Sequence, residues 1–350
     1  MPELAEVETV ARGLRAIAGC RITGVRFGKT DFIHQPARLE ALLPGSLIAE
    51  IRRHGKLLLI GCDRPPGETL ALRSPGKPAP VVAKSWQAPG CTGTSSTCRY
   101  GDGAAGPARL WLMVHLGMTG QLLLDDPAGP VAPHTHAWFA LDDGRELRYV
   151  DIRRFGRLRV ATPAELASLL APLGAEPLEL PRAEFRRRLG SRRAGLKALL
   201  LDQHVLRGLG NIYADESLWR ARLHPLRLGS DLSVAELDRL WRSIRRVASE
   251  AIRRRGTSIA NYVDTQGRPG TFQRFLRVYQ RTGRPCPRCH AAIERAIIAG
   301  RSSHFCPRCQ RRGLAPSRAR KPAGSKGVQP AHPSGGRRRK GGAPKRHSGF

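Results

Sequence analysis

No apolar run in the sequence reaches the roughly 18 residues that a membrane-spanning helix needs. The opening MPELAEVETV holds three glutamates and no lysine or arginine, so it lacks the basic-then-apolar order of a secretory leader. Together these absences predict a cytoplasmic protein with reduced thiols and no membrane partner. Acidic residues are also scarce, 28 Asp+Glu against 60 Lys+Arg, for a net charge of +32. Such an excess points to a polyanionic partner, and without an apolar span nucleic acid fits better than a lipid surface. From about residue 313 acidic residues vanish, and Lys, Arg, Gly, Pro and Ser predominate. This reads as a disordered basic tail. It holds ten Lys+Arg, so the rest of the chain still carries +22 (32 − 10). No internal repeat is visible.

What is present divides the 350 residues into segments of different character. Residues 2–19 place Leu4, Val7, Ala11, Leu14 and Ile17 at helical spacing. Short β-like runs follow, including LLLI at 57–60. Residues 61–109 are rich in Pro, Gly, Ser and Thr and read as a long inserted loop. Strand pattern resumes in ARLWLMVHLGMTGQLLL, and the DDG turn at 142–144 predicts a hairpin between HAWFAL and ELRYV. From about 163 the pattern turns helical. Thr162 and Glu165 make a capping box, and further helices are expected at 181–189, 194–203, 211–221 and 233–254.

The eight cysteines fall in two groups. Cys20, Cys62, Cys91 and Cys98 are scattered with no ligand spacing. Cys286, Cys289, Cys306 and Cys309 form two CPRC pairs 16 residues apart, the spacing of a tetrahedral structural Zn2+ site. No thioredoxin-like βαβ pattern surrounds them to suggest redox work. His290 and His304 lie nearby, but four thiolates already close the site. The segment between the pairs suits a β-hairpin with Arg301 at its tip, an arrangement fit for a phosphate.

Four separated pieces, MPELAEVET, DIRRFG at 151–156, GLGNIYADE at 208–216 and GRSSHFCPRCQ at 300–310, resemble the formamidopyrimidine-DNA glycosylase family. The resemblance covers most of 2–60 and 110–312. It implies an α+β fold in which an amino-terminal β-sandwich with one leading helix precedes a helical helix–two-turn–helix domain and a terminal zinc-finger β-hairpin. The expected boundaries are 1–162 for the sandwich, 163–263 for the helical domain, 264–312 for a lesion loop and the finger, and 313–350 for the tail.

The same resemblance implies a bifunctional glycosylase and abasic-site lyase. It would act on oxidised purines in damaged double-stranded DNA, as a bacterial monomer with one structural zinc. Pro2, freed of Met1, would attack the sugar C1′, because an α-amine with a pKa near 8 is partly unprotonated at neutral pH. Glu3 would shuttle a proton at the ring oxygen. Lys56 would reach the DNA beside the lesion, and Arg301 would hold a phosphate. Met118, Arg153 and Phe155 would fill the space left by a flipped base. Lys197 and Asn211 would contact phosphates, aided by Gly208 and Gly210 at a helix start. His115, His134 and His136 are further candidate DNA contacts. Residues 263–273, VDTQGRPGTFQ, would cover the flipped base. Glu6 and Glu8 read as helix-start charge.

The chain departs from the family pattern at Ala5, where a second proline is usual, and at Gln280 and His290, where glycines are common. The insertion is a further departure, with a packed position across the DNA groove or a disordered one both open. Two rivals remain: an endonuclease VIII-like glycosylase for oxidised pyrimidines, and a noncatalytic zinc-dependent damaged-DNA binder.

Overall fold

The computed structural model describes residues 2–65, 109–259 and 261–312. Eight strands build two antiparallel four-stranded sheets. One is ordered β1 (Ile22–Phe27), β6 (Thr135–Leu141), β7 (Glu146–Val150) and β5 (Gln121–Asp125). The other is ordered β2 (Leu47–His54), β3 (Leu57–Asp63), β4 (Arg109–His115) and β8 (Arg157–Ala161). They close on a shared core that includes Leu58, Ile60, Leu112, Val114, Phe139 and Tyr149. The apolar runs of β3 and β4 do not alternate with polar residues because both faces are covered. Leu59, Trp111 and Met113 point the other way, against Leu166 of helix α3 (Pro163–Leu170). That helix carries the expected Thr162–Glu165 capping box.

The leading helix α1 (Leu4–Leu14) is shorter than residues 2–19 and ends in a 3-10 turn at Arg15–Ile17. Helix α2 (Pro36–Leu42) went unforeseen, although Pro36 stands in its first turn, where proline is tolerated. Helices α4 (Arg182–Gly190), α5 (Leu196–Leu201), α6 (Asn211–Ala221) and α7 (Val234–Arg253) follow, the second shorter than the expected 194–203. They surround a second core built on Phe185, Leu200, Tyr213, Leu240 and Ile244. Strands β9 (Glu294–Ile298) and β10 (Arg301–Phe305) form the terminal hairpin. No helix among the described residues is long and apolar enough to cross a membrane.

Two features of this frame position the site. First, α1 belongs to both cores: Leu4 and Ala5 pack in the helical one, and Val7, Val10, Ala11 and Leu14 in the sandwich. Ala5 therefore stands in a first turn where proline would also fit. Second, Arg53 of β2 forks its two terminal guanidinium nitrogens onto Glu176 at 2.8 and 2.9 Å and reaches Glu8 through Nε at 3.1 Å, tying sheet, helix and the α3–α4 connection together. Residues 66–108 of the insertion and the tail from 313 lie outside the described residues. The insertion's flanks, however, are paired strands: Asp63 opposes Arg109 and accepts from it at 2.6 and 2.8 Å. The opposite end of that pairing is Leu57 with His115, about 20 Å away along the strands. The inserted segment thus leaves the sheet at the end remote from Lys56.

Candidate active site

Pro2 is buried at the head of α1, and Glu3 beside it is 2 % exposed. The Glu3 carboxylate sits in the mouth of α6. It accepts the N–H groups of Gly210 at 2.7 Å, Ile212 at 2.8 Å and Tyr213 at 3.3 Å. A helix N-terminus takes an anion, and here the anion is the protein's own glutamate. This corrects the expectation that Gly208 and Gly210 offer their N–H groups to a DNA phosphate, because Gly208 N–H is likewise spent, on Gln203 Oε1 at 2.8 Å. Gly210 is required for space: a Cβ there would stand 2.5 Å from the Glu3 carboxyl carbon.

Burial raises the Glu3 pKa. The nearby Lys56 charge opposes this, Glu6 adds to it, and the donated N–H groups oppose it. Glu6 is more than helix-start charge. It is 2 % exposed, and it accepts the N–H of Glu3 at 2.8 Å, the N–H of Thr257 at 2.6 Å and the Tyr213 hydroxyl. Lys56 stands in the β2–β3 turn, its pKa lowered by burial while Glu3 raises it and Arg301 lowers it. Pro2 with Glu3, Lys56 and Arg301 thus come from three distant stretches of the sequence to one neighbourhood, and Arg301, the first residue of β10, is exposed there.

Along the sandwich edge, Met118 is 40 % and Phe155 49 % exposed, and the exposed Arg153 lays its guanidinium 4.4 Å over the Phe155 ring. The two loops that carry them share one anchor. Asp151, fully buried, accepts from the Thr119 hydroxyl at 2.5 Å, Gly156 N–H at 2.8 Å, Tyr149 hydroxyl at 3.1 Å and Arg153 N–H at 3.3 Å. Gly117, at φ +59, lies so close to Phe155 that a Cβ would meet its backbone.

In the terminal hairpin the four cysteine sulfurs lie within 4.8 Å of one another, with Cys289–Cys306 at 3.4 Å and Cys286–Cys309 at 4.0 Å. Tetrahedral zinc with bonds near 2.3 Å would hold such sulfurs about 3.8 Å apart, so the four fit one ion. Trp219 Nε1 donates to Cys286 Sγ at 3.4 Å and Cys309 N–H to Cys306 Sγ at 3.4 Å, hydrogen bonds that favour thiolates. Gln310 joins Cys306 N–H to Leu223 O, seating the finger on α6's end.

Family models match the chain in three places. They are the formamidopyrimidine-DNA glycosylase N-terminal domain over residues 1–158, its H2TH domain over 173–263, and a zinc finger found in FPG and IleRS over 283–312. The formamidopyrimidine-DNA glycosylase of Chloroflexus aurantiacus is 40% identical over 317 residues, 89% of this chain and 98% of that protein. The one from Heliobacterium modesticaldum is 42% identical over 320 residues, 89% of this chain and all of that protein. The chain belongs to the formamidopyrimidine-DNA glycosylase family. Its fold matches the Lactococcus lactis Fpg (MutM) solved with oxidised-pyrimidine DNA, at TM-score 0.70 and 29% identity over 89% of this chain and all of that one. It matches the same enzyme with abasic-site DNA equally, at TM-score 0.70 and 29% identity over 88% and 99%.

Not every residue carried over from the glycosylase family lies at an open surface. Lys197 has no exposed surface; it donates to Asp215 at 2.5 Å and to Asn211 O at 3.1 Å, so no face of it meets a phosphate in this structure. The sequence showed a lysine in a very basic chain and gave no sign of its buried counter-charge. Asn211 gives its amide to Ser302 O at 2.8 Å, linking α6 to the finger. His136 is a core residue, 5 % exposed, packed on Phe32 and bonded to Asp151 O. His134 is exposed, while His115, its pKa lowered by burial and then by Lys56, accepts Gly117 N–H. Residues 264 and 265 of the expected lesion loop are buried: Thr265 O accepts Leu124 N–H at 2.9 Å, and its side chain fills the notch at Gly13. Sequence reasoning also missed Tyr279. Its hydroxyl, raised in pKa by burial, lies among the charges of Glu3, Asp215 and Arg301.

Proposed function

We propose that this chain excises oxidised purines, 8-oxoguanine and formamidopyrimidines, from duplex DNA and then cleaves the abasic site through a Schiff base on Pro2. The observation that carries the reading is the Glu3 carboxylate held at the α6 N-terminus directly beside Pro2, with Lys56 and Arg301 converging on it. Relatives support the substrate. A point mutant of Lactococcus lactis Fpg is known in complex with Fapy-dG DNA, and a MutM with carbocyclic 8-oxo-G DNA.

The chemistry follows from the residues. Once Met1 is removed, Pro2 offers a secondary amine whose lone pair attacks C1′ as the damaged base leaves with its bonding electrons. Glu3, its pKa raised by burial, acts as the acid that gives a proton to the ring oxygen as the ring opens. The cationic imine then acidifies C2′. Loss of that proton breaks C3′–O and expels the 3′ phosphate. Loss of the C4′ proton breaks C5′–O and expels the 5′ phosphate. Arg301 holds a phosphate during these steps, and Lys56 holds the backbone beside the lesion. Met118, Arg153 and Phe155 enter the duplex where the base has left, and Asp151 keeps their loops rigid. Cys286, Cys289, Cys306 and Cys309 would hold a structural zinc ion that steadies the hairpin presenting Arg301. The protein acts as a monomer in the bacterial cytoplasm, its positive charge drawing it to DNA.

Oxidised pyrimidines are a second substrate class to weigh, because the Lactococcus lactis protein was also solved with such DNA. The test is release of free base from duplexes carrying 8-oxoguanine, Fapy-dG or an oxidised pyrimidine. Faster release of both purines is expected. Faster release of the pyrimidine would favour the endonuclease VIII-like reading, and binding without release would favour a damage binder.

A further inference from the structure

The sequence motif GLGNIYADE ends in two adjacent acids that the reaction above does not use, and both are buried. Asp215 is 1 % exposed and Glu216 3 %. Each holds a separate piece of the site to α6. Asp215 Oδ1 takes Lys197 Nζ at 2.5 Å, and its Oδ2 takes the backbone N–H of His304 at 2.9 Å, with His304 Nδ1 at 3.3 Å. Glu216 takes the N–H groups of Arg277, Val278 and Tyr279 at 3.0, 2.9 and 3.0 Å. His304 lies on β10, three residues from Arg301. The helix that receives Glu3 at its N-terminus therefore also grips the strand bearing Arg301.

A buried lysine–aspartate pair is a poor source of stability, because desolvation offsets the attraction and a well-packed apolar pair often does as well. What an apolar pair cannot supply is an acceptor for the His304 N–H. We infer that Asp215 is a positioning residue that, through His304, fixes Arg301 on the phosphate it holds during the two eliminations, both of which the δ product needs, and that Lys197 is its buried counter-charge rather than a phosphate ligand. The charges agree with this geometry. Arg301 is near enough to lower the pKa of Lys197, below burial as the main cause, while Asp215 raises it. With Asp215 removed alone, Lys197 would lose its bonded counter-charge and keep only the weaker pull of Glu3. The inference rests on the proposed role of Arg301 in the lyase reaction.

The experiment compares the full-length protein with the double variant Lys197→Met/Asp215→Leu, which removes both charges and the acceptor at once. On abasic-site duplex, borohydride crosslinking and the ratio of δ- to β-elimination products are measured, together with zinc content and the salt dependence of DNA binding. The expected result is retained zinc, crosslinking within about twofold of the parent, a δ:β ratio at least tenfold lower, and an unchanged salt slope. An unchanged ratio with zinc and crosslinking retained would overturn the positioning role. A salt slope reduced by about one would overturn the counter-charge role and return Lys197 to the phosphates. Should the double variant lose zinc, Asp215→Glu keeps both charges on a longer arm. A lowered ratio is expected there too, and a parental one would overturn the inference. Absence of any crosslink in the parent would instead count against the Schiff-base reading itself.

Discussion

Glu3 and Gly210 stand 207 positions apart, yet the Glu3 carboxylate takes the Gly210 N–H at 2.7 Å. A glutamate that could face solvent is instead the internal anion of a helix N-terminus, and glycine leaves the room for it. Gly210→Ala should therefore displace Glu3 without backbone strain, since φ at Gly210 is −136°. Base excision from 8-oxoguanine duplex is expected to fall at least tenfold while crosslinking to a preformed abasic site changes less. Glu3→Gln should show the same split more strongly. Equal loss of both activities in Gly210→Ala would mean that the space is needed by Pro2, not by Glu3.

Asp151 accepts from three donors on two loops and from Tyr149 of β7, so Asp151→Asn leaves at least one donor facing an amide N–H. The expected cost is about 1–3 kcal/mol of stability, measured by urea unfolding. Base opening, followed by a fluorescent base analogue beside the lesion, should slow because the Met118 and Phe155 loops lose their common anchor. Normal opening in the variant would show that these loops hold without it.

His54 titrates at about 4, pushed down by burial and then by Arg207. The unfolded chain takes up this proton near 6.5, so its contribution is fully present above that pH. It is lost as pH falls from 6.5 through about 4. The melting temperature should drop on acidification across this window, and His54→Gln should flatten the drop. An equal slope in the variant would assign the acid sensitivity elsewhere.

Gln280 and His290, where the family resemblance leads to the expectation of glycines, both adopt left-handed backbone, at φ 56° and 62°. That conformation strains any side chain with a Cβ. Gln280→Gly and His290→Gly should each stabilise the fold by about 0.5–1 kcal/mol, the relieved strain exceeding the entropy glycine adds to the unfolded chain. A loss of stability in either would show that the side chain contributes more than its backbone costs.

Much of this architecture was legible in local pattern. The capping box at Thr162, the DDG hairpin, the start of α6 and the paired cysteines all depend on residues close in sequence. What stayed hidden depends on partners far away. Glu6, Asp215 and Glu216 look like ordinary surface acids until folding buries them against Thr257, His304 and Arg277. Lys197 looked like a phosphate ligand because the family resemblance implies one there, and local pattern cannot show that Asp215 already holds it. His136 read as a surface candidate for the same reason; its packing on Phe32 joins residues a hundred positions apart.

The most direct measurement of the central claim is intact mass of the purified protein, then borohydride reduction with an 8-oxoguanine duplex and peptide mapping of the adduct. The expected result is a chain lacking Met1 and a single sugar–DNA adduct on the amino-terminal peptide at Pro2. A Met1-free protein that binds the duplex but forms no adduct, or forms one on Lys56, would contradict Pro2 as the nucleophile.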